Sequence, residues 1–318
     1  MTIQSGIRPA HAAKATLQVW RGESMFSRLI RLVVLPLMGS KQVLRDIERH
    51  TRQLRRQRIK GEAKPTRRVA RNCNIVARDI AGSNVLFVEP KSGEITRTII
   101  YIHGGAYVAN MMMHQWNLVE GLAMHNRARV VVPHYPLAPE NDWQPAFAMM
   151  RTLYDGLVAD VGAENIALAG DSAGAGFALS LAKLLRDEGR PLPAKMVLYS
   201  PWIDLREENP QQDAYDAADP MLARPVLVWS AKHWAGETPL EDPRISPVFG
   251  DIRGLPPMLV FSGTADLLHP DALALFAKAQ GDGCDLRLII GERMTHAWSV
   301  LQTREARRLH AETAAFLR

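Results

Sequence analysis

The pentapeptide Gly170-Asp171-Ser172-Ala173-Gly174 constrains the fold of this 318-residue chain more than any other feature. It stands between an apolar run, 165–169, and an alanine-rich stretch with helical character, 173–185. A serine at a sharp strand-to-helix turn has its hydroxyl thrust out of the sheet, and flanking glycines relieve the crowding there. The pattern therefore predicts that Ser172 is a nucleophile, although so short a motif needs support from its neighbours.

A second motif lies upstream, where the β-branched run 97–102 ends in His103-Gly104-Gly105-Ala106. Adjacent glycines leave backbone N–H groups unshielded, so these groups can hold a negatively charged oxygen. Glycine loops of this kind supply half of the oxyanion hole in lipases and esterases, and the amide after the nucleophile supplies the rest. We therefore predict an oxyanion hole made by Gly104, Gly105 and Ala173.

Two further candidates follow predicted buried strands. Asp266 comes just after the run 257–263, and His296 lies in the loop after the run 286–290. Open parallel sheets place their chemistry beyond the carboxyl ends of strands, and α/β-hydrolases carry their triad in the chain order Ser, Asp, His. The sequence thus predicts Ser172, Asp266 and His296 as nucleophile, acid and base.

Other assignments stay open at this point. Asp271 could replace Asp266 as the acid, but it falls inside the predicted next helix. His269 and His125 could compete for the base role, yet neither lies in the loop after the last strand, and we interpret both as surface histidines. No histidine or cysteine spacing indicates a metal site, and the glycines lack the dinucleotide-binding spacing, so we expect no metal and no cofactor.

Four more segments accompany these motifs: Tyr135-Pro136-Leu137-Ala138-Pro139-Glu140, Ser200-Pro201-Trp202-Ile203-Asp204-Leu205, Asp242-Pro243-Arg244-Ile245-Ser246-Pro247 and Gly254-Leu255-Pro256-Pro257. In this order and spacing, residues 95–318 resemble the bacterial hormone-sensitive-lipase family of α/β-hydrolase esterases. The chain departs from the family in Ala106, where a third glycine is usual, and in His134 and Pro136, where acidic and arginine residues are usual.

The resemblance implies a serine carboxylesterase that acts on short- to medium-chain esters without a cofactor, often as a dimer. It also implies a helical cap, which we place at about 206–238. Because binding residues gather on loops held by a rigid scaffold, we expect substrate contacts from Tyr107, Trp202 and Tyr215. A lactone or amide hydrolase of the same mechanism is an alternative. A non-catalytic binder on this fold is another, but the presence of His296 argues against it.

The core alternates strands with helices, which predicts the α/β-hydrolase fold with a mostly parallel, eight-stranded sheet covered on both faces. The first two strands, 74–80 and 85–89, are expected to be antiparallel at an edge. The other strands are expected near Thr98, Val130, Ile166, Met196, Met258 and Leu286. Helices are expected at 115–126, 144–161, 173–187, 270–280 and 304–317.

Charge divides the chain. Residues 1–71 hold 17 Lys and Arg against 4 Asp and Glu, whereas the rest hold 22 against 29. We therefore predict a basic N-terminal helical cap or arm, 1–71, and a catalytic domain, 72–318. A helix predicted at 41–60 has arginines along one face; we favour a solvated surface over a binding role and expect no nucleic-acid partner. The apolar segment 25–38 is too short to span a bilayer, and we favour a wall of the substrate pocket over interfacial membrane attachment.

Cysteine usage and hydropathy bear on the location. Cys73 and Cys284 are the only cysteines and lie far apart in sequence, so no disulfide framework is indicated. The sequence has neither a transmembrane run nor a secretory signal pattern. We therefore expect a cytoplasmic protein whose partner is a small-molecule ester.

Overall fold

The computed structural model describes residues 15–318, which form one nine-stranded sheet with helices packed on both faces. The strands are β1 (Thr16–Trp20), β2 (Cys73–Ile80), β3 (Ser83–Pro90), β4 (Arg97–Ile102), β5 (Ala128–Pro133), β6 (Ile166–Asp171), β7 (Lys195–Tyr199), β8 (Met258–Ala265) and β9 (Leu286–Thr295). Their order across the sheet is β1-β9-β8-β7-β6-β4-β5-β3-β2. Only β2 with β3 and β3 with β5 pair antiparallel.

The prediction of eight strands is wrong by one. The extra strand, β1, pairs in parallel with β9, and Trp20 lies opposite Gly291. Its partner is far away in sequence, so no hairpin turn marks it. Four of its five residues are exposed, which removes the apolar pattern of a buried strand. The predicted antiparallel edge pair, by contrast, is confirmed in β2 and β3.

Helices cover both faces of the sheet. They are α1 (Met25–Leu29), α2 (Leu35–Met38), α3 (Ser40–Arg45), α4 (Ile47–Lys60), α5 (Arg67–Asn72), α6 (Gln115–Asn126), α7 (Trp143–Val161), α8 (Ala173–Asp187), α9 (Gln212–Ala218), α10 (Arg224–Ala235), α11 (His269–Asp282) and α12 (Arg304–Leu317). Alternate residues of β4 divide between two cores: Ile99 and Tyr101 pack with the α6 and α12 side, whereas Ile100 and Ile102 pack with α7 and α8.

The N-terminal arm differs from the prediction in its basic helix. The helix predicted at 41–60 is broken at Asp46, whose extended backbone ends α3 and whose carboxylate caps α4 by accepting the Arg49 N–H. The segment 25–38 forms α1, a π-helical turn at Ile30–Val34 and α2 in succession, and buries only Ser27 and Leu35. Its other apolar side chains are partly or largely exposed.

The cap predicted at 206–238 contains two helices, α9 and α10, and α10 packs against α3 and α4 of the arm. Within residues 15–318, no helix is long and apolar enough to cross a bilayer. The arm and the cap insertion therefore meet above the strand ends, where the candidate site lies.

Candidate active site

Ser172 occupies the turn between β6 and α8, with a backbone φ of 55° and ψ of −123°. Only glycine fits on either side of this turn. A Cβ on Gly170 would come within 2.3 Å of the Gly174 carbonyl oxygen, and one on Gly174 within 2.0 Å of the Ile102 oxygen. The sequence therefore fixes a strained serine at the amino end of a helix, where nucleophile elbows are found.

The structure brings the three predicted triad side chains together. His296 Nε2 lies 3.0 Å from Ser172 Oγ, and His296 Nδ1 lies 3.0 Å from Asp266 Oδ1. All three residues are buried, and Ser172 keeps 8% of its surface exposed. With a proton on Nδ1, the imidazole donates to the carboxylate and presents a free Nε2 lone pair to the serine hydroxyl.

The register of β8 on β9 places Asp266 beside His296. Gly263 pairs with Gly291, but Ala265 pairs with Thr295, so β9 carries extra residues at an irregularity near its end. Asp266 and His296 are the next residues after the pair Ala265 and Thr295. They therefore leave neighbouring strands at the same level, a consequence of the irregularity that no local pattern in the sequence announces.

Charge around the imidazole favours its protonated form. Burial lowers the pKa of His296, but the carboxylate of Asp266, aided by Asp219 and Asp171, outweighs burial and raises that pKa above its usual value of 6.5. Burial likewise raises the pKa of Asp266, and the opposing charge and hydrogen bond of His296 bring it below its usual value. The Asp266 carboxylate is thus held ionised beside an imidazole that is readily protonated.

The predicted oxyanion hole needs one correction. The N–H of Gly104 is already engaged, because it donates to Asp171 Oδ1 over 2.9 Å. In the described part of the chain, no hydrogen-bond acceptor meets the N–H of Gly105, Ala106 or Ala173. Gly105 and Ala106 have φ of 131° and 52°, which turns the loop away from extended backbone. The free donors beside the nucleophile are therefore Gly105, Ala106 and Ala173.

The sequence analysis did not assign Ala106 as an oxyanion donor, because the motif points to the two glycines. The backbone conformation that frees the Ala106 N–H cannot be read from the sequence. Asp171 explains why the first glycine is excluded. Its buried carboxylate accepts hydrogen bonds from the Tyr101 hydroxyl and the Gln115 amide as well as from Gly104. These bonds fix the glycine loop against the nucleophile turn.

Asp219 is a second residue that the sequence analysis did not assign to the site. It is buried in the cap, where its carboxylate accepts the N–H of Met221 and Leu222 through Oδ1 and that of Leu267 through Oδ2, at 2.8 Å for the last. Leu267 directly follows Asp266. Burial, followed by the charge of Asp266, raises the pKa of Asp219 to about 6. This carboxylate therefore ties the cap to the acid loop.

The N-terminal arm also contacts the cap at Asp219. Lys41 Nζ donates to the Asp219 carbonyl oxygen over 2.7 Å and also contacts the Asp216 carbonyl oxygen. In the sequence, Asp219 is marked only by the Asp-Pro dipeptide that it forms with Pro220, a pattern typical of a turn. Its long-range partner could not be read from it.

The predicted substrate-binding residues differ in placement. Tyr107 is 1% exposed and stacks on Trp234 at a ring distance of 4.3 Å. Trp202 is fully buried, and its indole N–H donates to Glu207 Oε1. The structure therefore packs both inside the protein. Tyr215, on α9, is half-buried with its ring 5.1 Å from that of His269.

The alternative assignments do not assemble. The Asp271 carboxylate accepts hydrogen bonds from the backbone N–H groups of Ile203 and Asp204, at 2.8 and 3.0 Å. His269 is buried rather than on the surface, and its Nδ1 lies 2.8 Å from Ser262 Oγ. Neither residue meets Ser172 or His296. Among the described residues, no group of three or more His, Cys, Asp or Glu could hold a metal ion.

Comparison with known proteins identifies the class. A family model described as alpha/beta hydrolase fold matches residues 99–300. Together with the sheet order and the serine turn, this match makes the chain an α/β-hydrolase. An acetyl-hydrolase from Streptomyces hygroscopicus is 35% identical over 228 residues, which span 70% of this chain and 75% of the relative.

Solved structures agree. The structure of an esterase from the bacterial hormone-sensitive lipase family is 28% identical, with a TM-score of 0.74 over 80% of this chain and 86% of that one. A double mutant of esterase E40 is 26% identical, with a TM-score of 0.80 over 94% and 99%. The chain covers 42% and 63% of the length of two curated relatives from Mycobacterium tuberculosis, and 62% of the length of one from Acinetobacter venetianus. The chain belongs to the hormone-sensitive-lipase family of α/β-hydrolases and is a carboxylic ester hydrolase.

Proposed function

We propose that the protein hydrolyses short- to medium-chain carboxylic esters through an acyl-enzyme intermediate on Ser172. His296 takes the serine proton as the oxygen attacks the ester carbonyl, and Asp266 orients the imidazole and stabilises its charged form. The imidazolium then protonates the leaving alcohol. Water, activated in the same way, attacks the acyl-enzyme, releases the carboxylic acid and restores the serine.

The developing oxyanion is bound by the N–H groups of Gly105, Ala106 and Ala173. Ala173 opens α8, so the positive end of that helix adds to the stabilisation. Loss of one such donor costs about 3 kcal/mol of transition-state stabilisation in other enzymes. Because these donors are backbone groups, any replacement other than proline leaves them in place.

The observation that supports this function best is the chain of contacts from Asp266 to His296 to Ser172, each link 3.0 Å long. A binder on the same fold would need neither the buried carboxylate nor the free Nε2. Tyr215 is the predicted contact residue that the structure leaves partly accessible, and we propose it as a determinant of substrate choice.

Hydrolysis of p-nitrophenyl butyrate by the purified protein tests the proposal. Wild type should release p-nitrophenol with an initial burst as the acyl-enzyme fills, and Ser172→Ala should reduce kcat by about 10⁴-fold or more. Asp271→Asn is the control. It changes a buried carboxyl that contacts neither Ser172 nor His296, so this variant should retain most of the rate. A wild-type rate no greater than that of Ser172→Ala would contradict the proposal and favour a binder.

We also propose that the protein works in the cytoplasm. Cys73 and Cys284 are both buried and free, which suits a reducing compartment. Fractionation of cells that produce the protein, with a periplasmic or secreted marker enzyme as the control, tests this. Recovery with that marker would contradict a cytoplasmic location.

A further inference from the structure

The segment 25–38 presents an unusual apolar surface. It forms a continuous helical rod about 20 Å long, ended by Gly39 in the left-handed conformation. We call its exposed large apolar side chains the arm patch: Met25, Phe26, Leu29, Leu32, Val33, Val34, Leu37 and Met38. They are between 40% and 89% exposed, a concentration that the described part of the chain shows nowhere else. Contiguous apolar surface of this kind marks a binding surface.

The rod is fixed to the catalytic domain, so its exposure is not that of a loose tail. Glu305, in the first turn of α12, accepts hydrogen bonds from the hydroxyls of Ser24 and Ser27 and from the Ser24 N–H. Arg31 and Glu23 form an ion pair at 2.8 Å beside it. Polar contacts thus hold the inner side of the rod and leave the apolar side chains outward.

The rod also lies next to the catalytic base. Ser27 and Ile30 line a cleft together with Thr295 and Trp298, residues on either side of His296. A surface that covered the arm patch would therefore lie close to the loop that carries the base.

The charge of the N-terminal arm indicates what kind of surface would cover the arm patch. Residues 1–71 hold 17 Lys and Arg against 4 Asp and Glu. Arg28 within the rod, and Arg49, Arg55 and Arg56 on α4, are exposed and form no ion pair with any residue in 15–318. Two copies that met symmetrically through the arm patch would bring two such positive arms together, and they would repel. An anionic surface would attract them.

We propose that the arm patch and its arginines dock the protein onto an anionic lipid surface. The apolar side chains enter the boundary between headgroups and acyl chains, and the arginines contact the lipid phosphates. The rod is too short to span the bilayer and would lie in its plane. Ester substrates dissolved in lipid would then reach the site without crossing bulk water.

Co-sedimentation with vesicles tests the proposal. We expect binding to phosphatidylcholine vesicles that contain a minority of phosphatidylglycerol, and weaker binding to phosphatidylcholine alone or at raised salt. The double variant Leu32→Gln/Leu37→Gln should weaken binding about tenfold or more. Arg28→Gln should weaken it about fivefold on the anionic vesicles, the effect of one basic residue near such a surface.

Controls come from the far sides of the molecule. Val76→Gln replaces a 53% exposed apolar residue on β2, at the sheet edge opposite β1, and should not change binding. Arg127→Gln removes an exposed charge just before β5, away from the strand ends that carry the site. Far-ultraviolet circular dichroism and thermal unfolding check that every variant folds.

Lipid binding does not require turnover, so Ser172→Ala should bind vesicles as wild type does. Failure of wild type to sediment with anionic vesicles would overturn the proposal, as would equal losses in the arm variants and the controls. A dimer in sedimentation velocity that Leu32→Gln/Leu37→Gln dissociates, without vesicle binding, would assign the patch to a second copy instead.

Discussion

Asp219 acts on the site through a backbone amide and through its charge. Its carboxylate holds the Leu267 N–H next to the triad acid and adds to the negative field that raises the pKa of His296. We therefore propose that it is a positioning residue, which acts through Leu267 and His296 and does not touch the substrate. Its effects divide into one on geometry and one on protonation.

We predict two consequences of Asp219→Asn. An amide has only one acceptor oxygen, so it cannot accept from the Leu267 N–H and also from the Met221 and Leu222 N–H groups, as the two carboxylate oxygens do. Loss of the negative charge lowers the pKa of His296, and catalysis needs the neutral imidazole. The acid limb of the kcat/KM profile should therefore move to lower pH. A limb that stays at the wild-type pH would contradict the electrostatic role.

Asp271 gives a prediction about stability and pH. Burial raises its pKa to about 7 in the folded protein, from the usual 3.8. The folded state thus prefers the neutral carboxyl, and the stability that this group contributes is present below pH 3.8 and lost as pH rises through 7. Asp271→Asn should therefore become progressively more stable than wild type between pH 4 and 8. Thermal unfolding at a series of pH values measures the difference, and a constant difference would contradict the account.

At the scale of elements, the irregular pairing of β8 and β9 determines where His296 lies. A Cβ on Gly263 would come within 2.1 Å of the Met294 carbonyl oxygen. Gly263→Ala must therefore move the end of β9 and the base with it. A displacement of about 1 Å can reduce the rate about 10²-fold, which we expect in kcat/KM.

The control for that prediction is Gly156→Ala, in the interior of α7. Apart from neighbouring backbone of its own helix, no heavy atom lies within 4 Å of the added Cβ there, and the helix gains about 0.5–1 kcal/mol. Activity should be unchanged and stability slightly raised. Equal activities of the two variants would show that the strand end does not control the base.

How much of these elements could be read from the sequence depends on how local their causes are. The helices Gln115–Asn126, Ala173–Asp187 and Arg304–Leu317 have the predicted bounds. For Arg304–Leu317 the signals are local, because the Thr303 side chain caps the first turn and the buried residues recur along one face. The approach of Ser172, Asp266 and His296 followed from motif order and strand ends. The motif predicts the Gly104 N–H as an oxyanion donor, but that group donates to the Asp171 carboxylate. The motif cannot reveal this contact.

At the scale of the whole molecule, β1 forms one edge of the sheet, although it lies far in sequence from its partner strand β9. Trp20 is its one buried residue, and its ring meets those of Phe261 and Trp298 edge-on at 6.1 Å. This contact joins the arm to β8, through Phe261, and to the turn that follows His296, through Trp298. The basic arm is therefore partly a structural element of the catalytic sheet, which the division at residue 71 did not anticipate.

Trp20→Ala should destabilise the protein by about 3–5 kcal/mol, the usual result of removing a buried aromatic ring. Val19→Ala, at a position 47% exposed on the same strand, should change stability by no more than about 0.5 kcal/mol. Urea unfolding measures both. Similar small effects for the two variants would mean that β1 does not contribute to the folded core.

The central claim is that Ser172 is the nucleophile and that His296 and Asp266 activate it. Reaction with diethyl p-nitrophenyl phosphate, followed by peptide mass spectrometry, tests it most directly. We predict one diethylphosphoryl adduct, on Ser172, formed much more slowly in His296→Ala. An adduct on another residue, or labelling of Ser172 at the same rate without His296, would contradict the claim.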